Sequence, residues 1–144
     1  MRIVAIVPAY NEEKTIGGVL SVLQKCKAIN EIIVVSDGST DNTVEIARQF
    51  KGVKLVELEE NRGKGGAMKA GLDHTRAGII LFLDADLIGL REDHIAALLR
   101  PVLGGEALMS LGVFKKGRVA TDLAQKMAPY LTGQRALKRD ILDR

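Results

Sequence analysis

Over residues 1–90, short runs that are apolar on both faces alternate with amphipathic stretches, and this alternation restricts the fold more than any other feature. Residues 2–8, 31–36, 53–58 and 78–84 form the apolar runs. A strand with no polar face must be covered on both sides by other elements. After the first run, Ile16, Val19, Leu20, Leu23 and Cys26 recur at the spacing of one helix face, and Asn11 is placed to cap that helix. A second helix is expected from the turn at 37–42 through Phe50, with Asn42 and Glu45 set as a capping box. A third covers 64–75, and Ile95, Leu98, Leu99 and Val102 mark a fourth, stopped by Pro101 and Gly104-Gly105. Alternation of this kind predicts an α/β fold with a mostly parallel, Rossmann-like sheet and helices on both sides. Further on, 106–114 reads as another strand, antiparallel to the rest, and Lys115-Lys116-Gly117-Arg118 as a polar turn. Residues 121–131 read as a helix interrupted by Pro129. With 144 residues and no linker or repeat, one domain is expected.

In open α/β sheets, ligands sit beyond the carboxyl ends of the strands. Pro8-Ala9-Tyr10-Asn11-Glu12-Glu13 follows the first strand there, and Ser36-Asp37-Gly38-Ser39 ends and follows the second. Asn61-Arg62-Gly63-Lys64-Gly65-Gly66 follows the third and Asp84-Ala85-Asp86 the fourth. Two carboxylates at a strand end offer the hard oxygen ligands that Mg²⁺ or Mn²⁺ prefers, with water and phosphate filling the remaining positions. Lys64 stands at a helix start, where free backbone amides also favour anions. The glycines around it fit neither common nucleotide motif. A dinucleotide fingerprint needs glycine where Met68 stands, and a P-loop needs Ser or Thr where Gly65 follows Lys64. Asp37 suits either a nucleobase edge or an Asx turn.

A charge of +3, from 21 basic and 18 acidic residues, is too balanced for a nucleic-acid binder but suits an anionic small molecule. Aromatic residues are 3% of the chain, which argues against stacking as the main recognition device. Cys26 is the single cysteine and is assigned to packing; His74 and His94 are assigned to surface or cap positions. Apolar runs such as 3–7 and 79–83 are far short of the roughly 20 residues that cross a bilayer, so no transmembrane segment and a soluble, cytoplasmic protein are expected.

Four segments in order resemble the nucleotide-sugar-binding half of family 2 glycosyltransferases of the GT-A fold. They are Ile6-Val7-Pro8-Ala9-Tyr10-Asn11-Glu12-Glu13, Val34-Val35-Ser36-Asp37-Gly38-Ser39-Thr40-Asp41-Asn42-Thr43, Asn61-Arg62-Gly63-Lys64-Gly65-Gly66-Ala67 and Leu83-Asp84-Ala85-Asp86. The resemblance implies a nucleoside-diphosphate-sugar donor, with Pro8, Ala9, Tyr10, Glu12 and Ser36 around the nucleoside and Asp37 reading the base. It implies further that Lys64 contacts the diphosphate, that Asp84 serves ribose and metal, and that Asp86 ligates Mg²⁺ or Mn²⁺. The implied reaction is metal-dependent sugar transfer with inversion.

Residues 1–90 then form the donor half and 91–144 a partial acceptor-side half, short of the family's usual C-terminal part. Thr132-Gly133-Gln134-Arg135-Ala136-Leu137-Lys138-Arg139 is similar to an acceptor-side segment of the family. Gly117-Arg118-Val119-Ala120-Thr121 is loosely similar to the phosphoglycerate-binding stretch of glucosyl-3-phosphoglycerate synthases, with an extra residue before Thr121. Arg118, Thr121 and Arg135 are thus the acceptor candidates, for a phosphate- or carboxylate-bearing acceptor. Arg135 is placed in a turn, and Lys138 and Arg139 on the solvated face of a terminal helix. The alternative reading is a minimal module that binds the sugar nucleotide without transferring the sugar, and a homo-oligomer is allowed. A sugar-1-phosphate nucleotidyltransferase would instead need a Gly-rich, Arg-containing loop where Pro8-Ala9-Tyr10-Asn11 stands.

Overall fold

The computed structural model describes residues 1–112, 114–115, 118–119 and 134–143. Four apolar runs form the parallel strands β1 (Ile3–Ala9), β2 (Glu31–Asp37), β3 (Val53–Leu58) and β4 (Ile79–Phe82). β5 (Met109–Leu111) is an edge strand, and β6 (Phe114–Lys115) and β7 (Arg118–Val119) pair with each other in a separate two-stranded sheet. The six-stranded main sheet has the order β3-β2-β1-β4-β8-β5, where β8 is Arg135–Lys138. β8 runs antiparallel to both neighbours, β4 and β5, so β5, confined to Met109–Leu111 of the expected 106–114 strand, runs the same way as β1–β4 rather than antiparallel to them.

Alternate residues of β1 feed two cores, as the pleat requires. Ile3, Ala5, Val7 and Ala9 join one apolar cluster, and Val4 and Ile6 the other. The first is covered by α1 (Ile16–Lys25), α2 (Thr43–Arg48) and α4 (Glu92–Leu103) through Ile16, Val19, Leu20, Leu23, Ala47, Ile95, Leu98, Leu99 and Val102. α3 (Gly63–Leu72) covers the other face, packing on β1 and β2 with Ala67, Ala70 and Gly71 inward. These small residues bring its backbone close to the sheet. A Cβ at Gly71 would lie 2.6 Å from Ile6 Cγ2 and 3.2 Å from Val35 Cγ2. Gly71→Ala is therefore expected to destabilise the fold by about 1–3 kcal/mol, less the roughly 1 kcal/mol of helix propensity that alanine restores. Urea unfolding measures the difference, and an unchanged or raised midpoint would show that α3 has room to move outward.

Several local expectations are corrected. Asn11 does not cap α1, whose N-cap is Thr15. It adopts a positive φ of 51°, and its Oδ1 accepts the Thr40 and Asp41 N–H groups at 2.7 and 3.3 Å, tying two loops together. The Asn42 side chain makes no cap hydrogen bond; Asp41 Oδ1 accepts the Thr43 N–H at 2.9 Å instead. Pro101 does not stop α4, which continues to Leu103; the helix ends at Gly104, as expected, and the Pro101 carbonyl accepts N–H groups from Glu106 and Ala107 beyond it. Arg135 lies in β8 rather than a turn, opposite Phe82 and Leu111. Arg139 opens a short 3-10 helix, Arg139–Asp143, and its guanidinium donates to the Thr75 and Leu72 carbonyls at 2.7 and 3.2 Å. It closes the end of α3 rather than facing solvent from a terminal helix. The expected helix at 121–131, Thr121, residues 116–117 of the polar turn and the side chain of Arg118 lie outside the described residues.

Cys26 packs half-buried at the edge of the first core, and burial, with Glu92 nearby, pushes its thiol up. His74 Nδ1 lies 2.8 Å from the Ala70 carbonyl on α3, and His94 Nδ1 accepts the Arg91 N–H at 3.2 Å at the start of α4. Both histidines therefore serve helix ends. Among the described residues, no helix is long and apolar enough to cross a membrane.

Candidate functional site

β1 is flanked by β2 on one side and β4 on the other, so the chain order reverses at β1 and β4. Such a switch point leaves a crevice beyond the strand ends. The crevice here has a volume of about 350 Å³. Its walls are the loop after β1 (Pro8, Ala9, Tyr10, Glu12), the end of β2 (Asp37), the start of α3 (Asn61, Gly63, Lys64, Ala67) and the segment after β4 (Asp84, Ala85, Asp86). Of the donor-side residues singled out in the sequence, all but Ser36 line it. Ser36 is buried, and its hydroxyl accepts the Ser39 N–H at 3.3 Å, shaping the turn behind the site. Asn61, given no role of its own within the segment after β3, accepts the Gly63 N–H on its Oδ1 at 3.0 Å and fixes the entry to α3.

The loops are held by one another. Asp37 is 5% exposed, and its Oδ1 accepts the Arg62 N–H at 2.7 Å, joining the end of β2 to the loop before α3. The following Gly38 has φ 77°, and a Cβ there would stand 3.0 Å from the Asn61 nitrogen. The approach of these two loops thus requires glycine. The Glu12 N–H donates to the Thr43 hydroxyl at 2.9 Å and the Glu13 N–H to Asp41 Oδ2 at 3.3 Å. Tyr10 remains half-exposed at the rim.

The charges are unevenly spread. Lys64, on the first turn of α3, forms an ion pair with Asp84 Oδ1. The other carboxylate oxygen of Asp84 accepts from Gln134 Nε2 at 2.6 Å, and the Asp84 N–H donates to Gln134 Oε1 at 2.7 Å. Gln134, just before β8, is 2% exposed. Sequence reading gave it no role, since only the β4–β8 pairing brings it to Asp84, fifty positions away. Burial, and then the nearby carboxylates of Asp86, Asp41 and Asp84, push the Glu12 carboxyl above its ordinary range. Burial acts to raise Asp41 too, but hydrogen bonds from the Thr43 hydroxyl and N–H and from the Glu13 N–H outweigh it and hold that carboxyl low.

A raised carboxyl holds its proton more tightly in the folded protein than in the unfolded chain. Stability therefore falls as pH rises from the ordinary glutamate range through the raised value, and the loss is complete above it. Asp41 acts in the opposite sense: its contribution is present above the ordinary aspartate range and is lost as pH falls through its lowered value. Glu12→Gln should accordingly raise the melting temperature at pH 7 and leave it unchanged at pH values below the ordinary glutamate range. Thermal melts at the two pH values check this, and an equal shift at both would assign the effect to packing.

Two carboxylates, Asp84 and Asp86, and a lysine at a helix start thus meet at the switch point of an α/β sheet, the place where ligands bind in such sheets. The comparisons with known proteins narrow the class. The family model for glycosyl transferase family 2 matches residues 4–143, and the chain belongs to that family. The fold is the GT-A fold of its solved members. A crystal structure of glucosyl-3-phosphoglycerate synthase from Mycobacterium tuberculosis, in complex with Mn²⁺, uridine-diphosphate and glucosyl-3-phosphoglycerate, matches with a TM-score of 0.79 and 31% identity, covering 98% of this chain and 58% of that one. The dolichyl-phosphate beta-glucosyltransferase of Drosophila melanogaster is 40% identical over 104 residues, which is 60% of this chain and 31% of that protein. The 4,4'-diaponeurosporenoate glycosyltransferase of Staphylococcus aureus (strain USA300) is 34% identical over 113 residues, 74% of this chain and 30% of that protein. The chain thus spans about a third of the length of the curated relatives it matches.

Proposed function

We propose that the crevice binds a nucleoside-diphosphate sugar together with Mg²⁺ or Mn²⁺, and that the protein transfers the sugar to an acceptor bearing a phosphate or carboxylate. The observation that carries the reading is the meeting of Asp84, Asp86 and Lys64 in one crevice that Asp37 also lines. Pro8, Ala9, Tyr10 and Glu12 would enclose the nucleoside, and Asp37 would accept from the base edge. Lys64 would turn from Asp84 to the diphosphate. Uridine is the favoured base, because the synthase of similar fold was crystallised with uridine-diphosphate.

The residues present fit a divalent cation. Lys64 Nζ already lies against Asp84 Oδ1, so that oxygen is presented to positive charge, and Asp86 lines the same crevice. Among the described residues no three metal-binding side chains form a cage, so Asp84 and Asp86 would share the ion with water and diphosphate oxygens, the usual manner for Mg²⁺. When bound, the ion would offset negative charge on the departing diphosphate. Lys64 and the first-turn amides of α3 would stabilise the same charge from the other side. The proposed displacement is in line, with inversion at the anomeric carbon.

The acceptor class rests on chemistry that recurs among the relatives. The synthase was also crystallised with phosphoglyceric acid, and the fly relative is named for dolichyl-phosphate. An acceptor oxygen that is already ionised needs no strong base. Arg135 sits at the start of β8, opposite Phe82 and so at the same end of the sheet as Asp84, where it would meet such an oxyanion.

A thermal-shift panel of nucleoside diphosphates, with Mn²⁺ or with EDTA, tests the donor half. Saturation at a hundred times Kd stabilises a protein by about 2.7 kcal/mol, so uridine-diphosphate with Mn²⁺ should raise the melting temperature by several degrees. No shift with any nucleotide would remove the donor assignment. Binding without transfer from the corresponding sugar nucleotide would leave the chain a donor-binding module.

A further inference from the structure

The β4–β8 ladder ends at Phe82 and Arg135, yet hydrogen bonding continues past it through a side chain. Gln134 Oε1 takes the Asp84 N–H as a strand carbonyl would, and Gln134 Nε2 donates to Asp84 Oδ2. The residue is itself held: it is 2% exposed, and its main-chain carbonyl accepts the Gly112 N–H at 3.0 Å, beside the end of β5. One buried group therefore binds both the main chain and one carboxylate oxygen of Asp84, while Lys64 lies against the other oxygen. Because that group is neutral, it directs the carboxylate without cancelling its charge. An arginine in its place would have consumed that charge.

We propose that Gln134 is a positioning residue of the donor site: its amide binds the Asp84 main chain and one carboxylate oxygen so that the other oxygen is presented to the cation. The inference rests on the donor-site reading above. It deepens that reading by giving β8, an acceptor-side strand in sequence, a part in cation binding.

Gln134→Met keeps length and apolar packing while removing both hydrogen bonds. Calorimetric titration of uridine-diphosphate, once in Mn²⁺ and once in EDTA, reads the effect on the 144-residue chain. In Gln134→Met the strengthening by Mn²⁺ should fall about 10–100-fold, the loss typical when a metal ligand loses its outer partner, while affinity in EDTA stays within about twofold of wild type. An equal loss in both arms would mean that Gln134 only holds the fold, and would overturn the proposal. If Mn²⁺ strengthens binding normally in Gln134→Met but not in Asp84→Asn, the role of Gln134 is refuted and the donor site stands. If neither variant alters the response to Mn²⁺, the donor-site reading itself fails. Should Gln134→Met not fold, Gln134→Asn, whose amide is one methylene too short to hold both groups, carries the same expectations.

Discussion

Asp86→Ala is expected to abolish the dependence of nucleotide binding on Mn²⁺. Asp84 and Asp86 stand on the wall of the same crevice, and without a cation their charges repel a diphosphate. Loss of an outer partner costs a metal site roughly 10–100-fold, so loss of a direct ligand should cost more than about 100-fold in Mn²⁺-supported affinity. Transfer activity should fall in parallel. The fold should hardly change, because Asp86 is exposed and surface substitutions of this kind usually stay within about 0.5 kcal/mol. Calorimetric titration of uridine-diphosphate in Mn²⁺ checks the claim, and equal affinity in wild type and variant would contradict it.

The second large effect concerns Asp37, which has a structural and a proposed recognition task that can be separated. Its Oδ1 accepts the Arg62 N–H, and the residue is buried. Asp37→Ala strands that N–H, at a cost of about 1–3 kcal/mol, and frees the loop that carries Asn61. Both stability and nucleotide affinity should drop, the latter about 10–100-fold. Asp37→Asn keeps an acceptor for Arg62 and converts the second oxygen into a donor. Its stability should remain near wild type, while affinity falls only for the nucleotide whose base offers an N–H to Asp37. Urea unfolding alongside a nucleotide panel separates the two tasks. A uniform loss across bases in Asp37→Asn would reassign the residue to the loop alone.

β1, β2 and β4 were legible because a run apolar on both faces has few places to go except the middle of a sheet; β3, with Lys54 and Glu57 exposed, instead forms the sheet's edge. β8 was not legible. Arg135, Ala136, Leu137 and Lys138 are good helix formers, and they are extended because β4 and β5 each need a hydrogen-bonding neighbour. That pairing is non-local, and so are its consequences: the Gln134 amide on Asp84 and the Arg139 guanidinium on the last turn of α3. Local signals also misled where a stronger partner was available. Asn11 reads as a helix cap, but its oxygen is taken by the Thr40 and Asp41 amides. The crevice-lining residues at the ends of β1, β2 and β4 could be named from strand ends and order alone. The pairing of Lys64 with Asp84 could not, because it depends on how closely the small residues of α3 let that helix approach the sheet.

The most direct test is a crystal structure of the chain grown with uridine-diphosphate and Mn²⁺, with the metal located by anomalous scattering. A single strong peak at Asp86 and Asp84, with the diphosphate beside it and Lys64 turned toward the phosphates, is the expected result. Nucleotide bound outside the crevice, or manganese bound away from both carboxylates, would contradict it.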